Sequence, residues 1–99
     1  MAIVRVAVAE GNPDELVQTY ERIAAKMRTA EGQGPRIHVA MKTPTGIRIA
    51  NLWASEAEAD AARGRLQQVL REEGVDESAF KVEQYELINA VVEGKPVNF

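Results

Sequence analysis

His38 is the only histidine among 99 residues, and the chain has no cysteine. Imidazole is the side chain that exchanges protons near neutral pH, so His38 is the default candidate for general acid–base chemistry. Asn51 carries a donor and an acceptor on one amide and could orient a carbonyl or a phenol. Trp53, two residues further on, could stack on a flat aromatic ligand and donate its indole N–H. Tyr20 and Tyr85 each offer a hydroxyl. Every one of these residues also has a plainer reading. His38 could face solvent or a subunit seam from an edge strand, and Asn51 could tie down nearby backbone. Trp53 could simply close a core, and the tyrosines could pack with their hydroxyls satisfied.

Other chemistries find less support. Without cysteine there is no thiolate nucleophile, no disulfide and no multi-Cys/His zinc site. One histidine with scattered acids is not a transition-metal pattern. There is no G-x-G-x-x-G and no P-loop, Gly32-Gln33-Gly34 reading as a helix stop. The expectation is therefore a chain with no metal and no nucleotide cofactor. The acids of Glu56-Ala57-Glu58-Ala59-Asp60 read as a helix first turn, where they complement the macrodipole.

Whether His38, Asn51 and Trp53 can act together depends on a hairpin. Arg36 to Lys42 alternates as a strand, Thr43-Pro44-Thr45-Gly46 is a turn, and Ile47 to Ala54 returns as the next strand. With Pro44-Thr45-Gly46 as a three-residue loop, Met41 pairs with Ile49 and His38 shares a face with Leu52. With a two-residue loop, His38 lies opposite Asn51. A one-residue slip exchanges the faces. A glycine following a type I turn favours the three-residue loop, which separates His38 from Asn51.

The remaining elements follow from periodicity and caps. Ile3 to Ala9 is apolar on both alternating faces with only Arg5 interrupting, the pattern of a strand covered on both sides. Asn12 can cap a helix that begins at Pro13, with Glu15 placed to complete a capping box. Leu16, Tyr20, Ile23, Ala24, Met27 and Ala30 form its inner stripe, and the glycines before Pro35 end it. Ser55 caps a second helix that runs to about Glu73, with Glu58 three residues on. Its inner stripe is Ala59, Ala62, Leu66, Val69 and Leu70. Phe80 to Ile88 supplies a last strand, and residues 90–99 read as an extended tail.

The order βαββαβ is that of a ferredoxin-like α+β sandwich, one antiparallel four-stranded sheet with both helices on one face. Two helices cover one face only, yet the first and third strands are apolar on both. A second copy of the chain is the simplest cover, so a homodimer with sheets face to face is expected, the tail packing on the partner. Ninety-nine residues make one domain, residues 1–89, with a modest core. A net charge of −3, with arginines interspersed among acids, excludes the basic stripe of a nucleic-acid binder. No apolar run has transmembrane length, so no membrane partner is expected, and a cytoplasmic location is.

With these elements placed, the chain resembles the dimeric α/β-barrel superfamily, and within it small bacterial proteins related to antibiotic-biosynthesis-monooxygenase-like domains. The likeness rests on His38, Gly46-Ile47-Arg48, Asn51, Trp53, Ser55 and the Asn89-Ala90-Val91 end, and spans Ile3 to Val92. The resemblance implies a homodimeric barrel whose helix–sheet cleft holds an aromatic ligand. Ala59 and Ala62 stand where that group often carries phenylalanine, so either a cavity opens there or neighbours repack into the space. Three functions are thus expected in order: binding of a small apolar or aromatic molecule by Tyr20, Asn51, Trp53, Ala59 and Ala62; a cofactor-independent monooxygenase or isomerase with His38 as catalytic base; and a dimerisation module without catalysis.

Overall fold

A computed structural model describes residues 1–99. The strands are β1 (Ile3–Glu10), β2 (Ile37–Thr43), β3 (Gly46–Trp53) and β4 (Lys81–Glu86), and the helices α1 (Pro13–Thr29) and α2 (Glu56–Glu72). They alternate as βαββαβ, and the antiparallel sheet has the order β2-β3-β1-β4. This α+β architecture is compatible with a ferredoxin-like fold. Both helices start as their caps dictate: Asn12 Oδ1 accepts from the Glu15 N–H at 3.1 Å and Ser55 Oγ from the Glu58 N–H at 3.2 Å. The return halves of the two capping boxes are not made. The Glu58 carboxylate turns to Arg36 instead, Nη2 to Oε1 at 3.4 Å.

The hairpin between β2 and β3 departs from the three-residue loop that its sequence favours. Pro44 and Thr45 alone form the turn, so Thr43 pairs with Gly46, Met41 with Arg48 and His38 with Asn51. The cause is tertiary. Gly46 is buried within β3 opposite Glu10 of β1, and a Cβ there would overlap the Ala9 carbonyl oxygen. The glycine thus serves close strand approach rather than a left-handed turn position. The Gly11 N–H donates to the Thr45 carbonyl at 2.9 Å and ties the turn to the loop after β1.

Register sorts the sheet into two faces, because directly opposed residues share a side. On the helix side lie Ile3, Arg5, Ala7 and Ala9 of β1, with Trp53, Asn51, Ile49 and Ile47 opposite them in β3. His38 and Ala40 extend that face onto β2, and Gln84 and Val82 onto β4. The core is small. It comprises one cluster of Ile3, Trp53, Ala59 and Ala62 and another of Ile23, Val69 and Leu70, with Met27, Val75 and Phe80 against the second. The opposite face carries Val4, Val6, Val8, Ala50, Leu52, Ile37, Val39 and Met41 with no helix over it.

The C-terminal end differs from the expected strand and tail. A 3-10 turn at Glu77–Ala79 precedes β4, and β4 stops at Glu86. Residues 90–97 then fold back as a hairpin of β5 (Val91–Val92) and β6 (Lys95–Pro96). Glu93 and Gly94, both with positive φ (52° and 76°), make its tight two-residue turn.

Candidate functional site

Three elements converge on His38. β2 is an edge strand, so its His38 ring is exposed on the helix side. Register brings Asn51 of β3 directly opposite, and the half-buried Tyr20 descends from α1. His38 Nδ1 lies 2.5 Å from Asn51 Oδ1, and His38 Nε2 lies 2.5 Å from the Tyr20 hydroxyl. An amide oxygen only accepts, so the ring proton sits on Nδ1 and donates to Asn51. In the neutral ring Nε2 then holds a lone pair and accepts from Tyr20 O–H. The two rings are 5° from parallel with centroids 5.9 Å apart. Since 2.5 Å is closer than any stacked separation, the two near-parallel rings meet edge to edge rather than face to face.

This Tyr20–His38–Asn51 chain has the logic of a hydrogen-bonded triad. A hydroxyl bonded to imidazole can give up its proton to Nε2, while the group on Nδ1 fixes the tautomer and orients the imidazolium that forms. Because the ring is exposed, it can also exchange its proton with water.

Trp53 lies two residues along β3 from Asn51 on the same face, but it does not join the hydrogen-bonded chain. Its indole packs with Ile3, Ala59 and Ala62 in the first core cluster. Ala59 and Ala62 are thus closed off from solvent beneath the indole. The Asn51 amide nitrogen and the Trp53 indole nitrogen find no acceptor within the chain and are not sealed from solvent, so both N–H groups remain available. Tyr85 stands apart, on the open face of β4. Its hydroxyl bonds to Glu83, which holds the phenol above its usual pKa.

Sequence reading missed the continuation of this row. In register, His38, Asn51, Arg5 and Gln84 cross the sheet from edge to edge on the helix side. Arg5, whose side chain is only 19% exposed, donates from Nε to Gln84 Oε1 at 2.9 Å and from Nη2 to Asp60 Oδ1 at 2.7 Å. The signal was present as the single charge in an otherwise apolar first strand. A second pair, Arg36 with Glu58, lies just before β2, two residues from His38, and Glu58 Oε2 is buried without a partner. No protein-family model matches the chain, and neither a curated protein nor a solved structure is similar to it.

Proposed function

We propose that the protein is a cofactor-independent proton-transfer enzyme of the isomerase type, acting on an aromatic or other enolisable carbonyl compound. The observation that supports it is the engagement of both His38 nitrogens, by Tyr20 and by Asn51. In this reading a proton leaves the carbon beside the substrate carbonyl for the Tyr20 oxygen as the Tyr20 proton passes to His38 Nε2. The reverse transfer returns a proton to a different carbon, so no oxidant or reductant is needed. In this reading the Asn51 N–H, which has no acceptor within the chain, bonds the enolate oxygen. The monooxygenase variant of the same reading uses the same base and dioxygen as co-reactant, a substrate CH2 being oxidised to C=O by one oxygen atom while the other leaves as water.

Deuterium wash-in tests this directly. Aryl ketones and 2-oxo acids are incubated with the protein in D2O and followed by proton NMR. Exchange at the carbon beside the carbonyl is expected above the buffer rate, with His38→Ala lowering it about a hundredfold or more. Exchange indifferent to His38→Ala removes the proposal.

The assembly in which this works is read as a homodimer with open sheet faces together, the dimeric α/β barrel that the sequence resembles. Only 10 of 99 residues are buried and the chain exposes 6642 Å². A compact protein of its mass exposes about 5,600 Å², leaving a surplus of roughly 1,000 Å². A standard interface buries about 800 Å² per partner, so one such contact on the open face accounts for most of that surplus.

A further inference from the structure

We infer that Arg5 recognises a carboxylate on the compound that occupies the His38 site, which makes that compound a 2-oxo acid rather than a neutral ketone; this rests on the proton-transfer reading above. Arg5 continues the row that holds the proton-transfer groups. It stands directly opposite Asn51, which stands directly opposite His38. Its guanidinium is fixed, with Nε on Gln84 Oε1 at 2.9 Å and Nη2 on Asp60 Oδ1 at 2.7 Å, yet only two of the five N–H groups of an arginine are used. Nη1 has no acceptor within the chain and is not sealed from solvent. The Asp60 contact is single-pronged, so N–H groups that match the two oxygens of a carboxylate remain unspent. A cation held at 19% exposure with donors to spare costs desolvation that a mere staple to α2 does not require.

The sheet gives a ligand access to this group. At the two ends of its helix side Ile3, Trp53, Ala9 and Ile47 are buried, whereas Arg5, Ala7, Ile49 and Asn51 between them are only half-buried. The helices thus close over the ends of β1 and β3 and leave the middle within reach of solvent, beside the exposed His38. The chemistry needs a cation there. When a proton leaves C3 of a 2-oxo acid for the Tyr20 oxygen, and the Tyr20 proton passes to His38 Nε2, the electron pair of the broken C–H bond enters a C2–C3 double bond and the charge settles on the C2 oxygen. The result is a dianion, with enolate and carboxylate on neighbouring carbons. Asn51 is neutral and serves the enolate oxygen alone. The second charge falls one step along the row, where Arg5 stands at about 5 Å, the ordinary spacing of directly opposed side chains. Arg36 also reaches toward α2, but it precedes β2 and lies outside the row.

Benzoylformate and acetophenone form a matched pair in which a carboxylate replaces a methyl group, and benzoylformate has no proton to lose beside its ketone, so binding is read apart from turnover. Each is titrated into the parent protein, Arg5→Gln, Asp60→Ala and Arg36→Gln, and followed by NMR at the His38 ring and the Arg5 Nε–H. Expected is benzoylformate binding at least about tenfold tighter than acetophenone in the parent, the two level in Arg5→Gln, and the preference kept in Arg36→Gln. Asp60 is 59% exposed, so Asp60→Ala retains the fold; it removes the competing carboxylate and tightens benzoylformate several-fold without moving acetophenone. Equal affinities in the parent, or a preference that survives Arg5→Gln and is unmoved by Asp60→Ala, overturn the inference. His38-dependent deuterium exchange of acetophenone without a benzoylformate preference removes the Arg5 contact and leaves proton transfer standing. An Arg5-dependent preference without His38-dependent exchange of phenylpyruvate upholds the contact and removes proton transfer.

Discussion

Removing the Tyr20 hydroxyl with Tyr20→Phe deletes one bond of the His38 chain and almost nothing else. The phenyl ring remains, and the hydroxyl's only partner is His38 Nε2 at 2.5 Å. A net intramolecular hydrogen bond is worth about 0.5–1.5 kcal/mol. His38 is exposed, so water replaces the lost donor and the cost falls near the bottom of that range. For a domain of this size about 1 kcal/mol moves the melting temperature by roughly 4–8 °C, so a fall of about 2–6 °C is expected. A change of that size has other possible sources, and a double-mutant cycle isolates the bond. Tyr20→Phe, His38→Ala and the pair are unfolded in urea, and a coupling of about 0.5–1 kcal/mol is expected between the two sites. Asn51→Ala in place of Tyr20→Phe yields a coupling of similar size through Nδ1. Additive effects within about 0.3 kcal/mol, the usual figure for independent sites, would refute the hydrogen-bonded chain.

Three further outcomes follow from the same geometry. Gly46→Ala puts a Cβ against the Ala9 carbonyl oxygen, a backbone atom that cannot swing aside, and should cost about 1–3 kcal/mol, read as a lower urea midpoint. In the proposed homodimer, Val39→Glu places a charge on the open sheet face and should shift the dimer to monomer in sedimentation velocity while leaving circular dichroism unchanged; a parent already monomeric removes the dimer proposal. Asp76 is held below its ordinary 3.8 by the backbone N–H and hydroxyl of Ser78, and a depressed carboxylate stabilises the fold above its unfolded pKa. That contribution is lost as pH falls below 3.8, so Asp76→Ala should melt earlier than the parent at pH 6 and converge with it near pH 2. A constant gap across that range contradicts the assignment.

Much of the fold was legible because local chemistry specified it. Asn12 before Pro13 and Ser55 before Glu56 placed both helix starts, and the caps bond as their residue types require. Alternation in residues 36–42 and 47–54 placed the hairpin strands to within a residue at each end. Its register was not legible, because the residue that sets it answers to a neighbour far away in sequence. Gly46 looks like a turn glycine beside Pro44 and Thr45, and only the β1 carbonyl above it reveals why a side chain is excluded. That one-residue difference decides the candidate site, since it moves Asn51 from the opposite face to a position beside His38.

The rest of the site divides in the same way. His38, Tyr20 and Asn51 were recognisable from residue chemistry, but their connection required the fold. Trp53, Ala59 and Ala62 were correctly placed between helix and sheet, where they pack on one another and on Ile3. Arg5 passed as an interruption in an apolar strand because its partners, Gln84 and Asp60, come from two other elements. The C-terminal hairpin escaped notice since its Glu93-Gly94 turn joins strands of only two residues each.

The most direct test is the tautomer of the neutral His38 ring, read by nitrogen-15 NMR. A single histidine makes the assignment unambiguous. The Asn51 amide oxygen only accepts and so requires Nδ1–H, whereas the Tyr20 hydroxyl can donate to a bare Nε2 or accept from Nε2–H; the Asn51 bond therefore favours the Nδ1–H form by about 1 kcal/mol, roughly fivefold. The Tyr20–His38–Asn51 chain predicts an Nδ1–H spectrum that reverts toward the Nε2–H form in Tyr20→Phe/Asn51→Ala. An Nε2–H ring in the parent protein contradicts it.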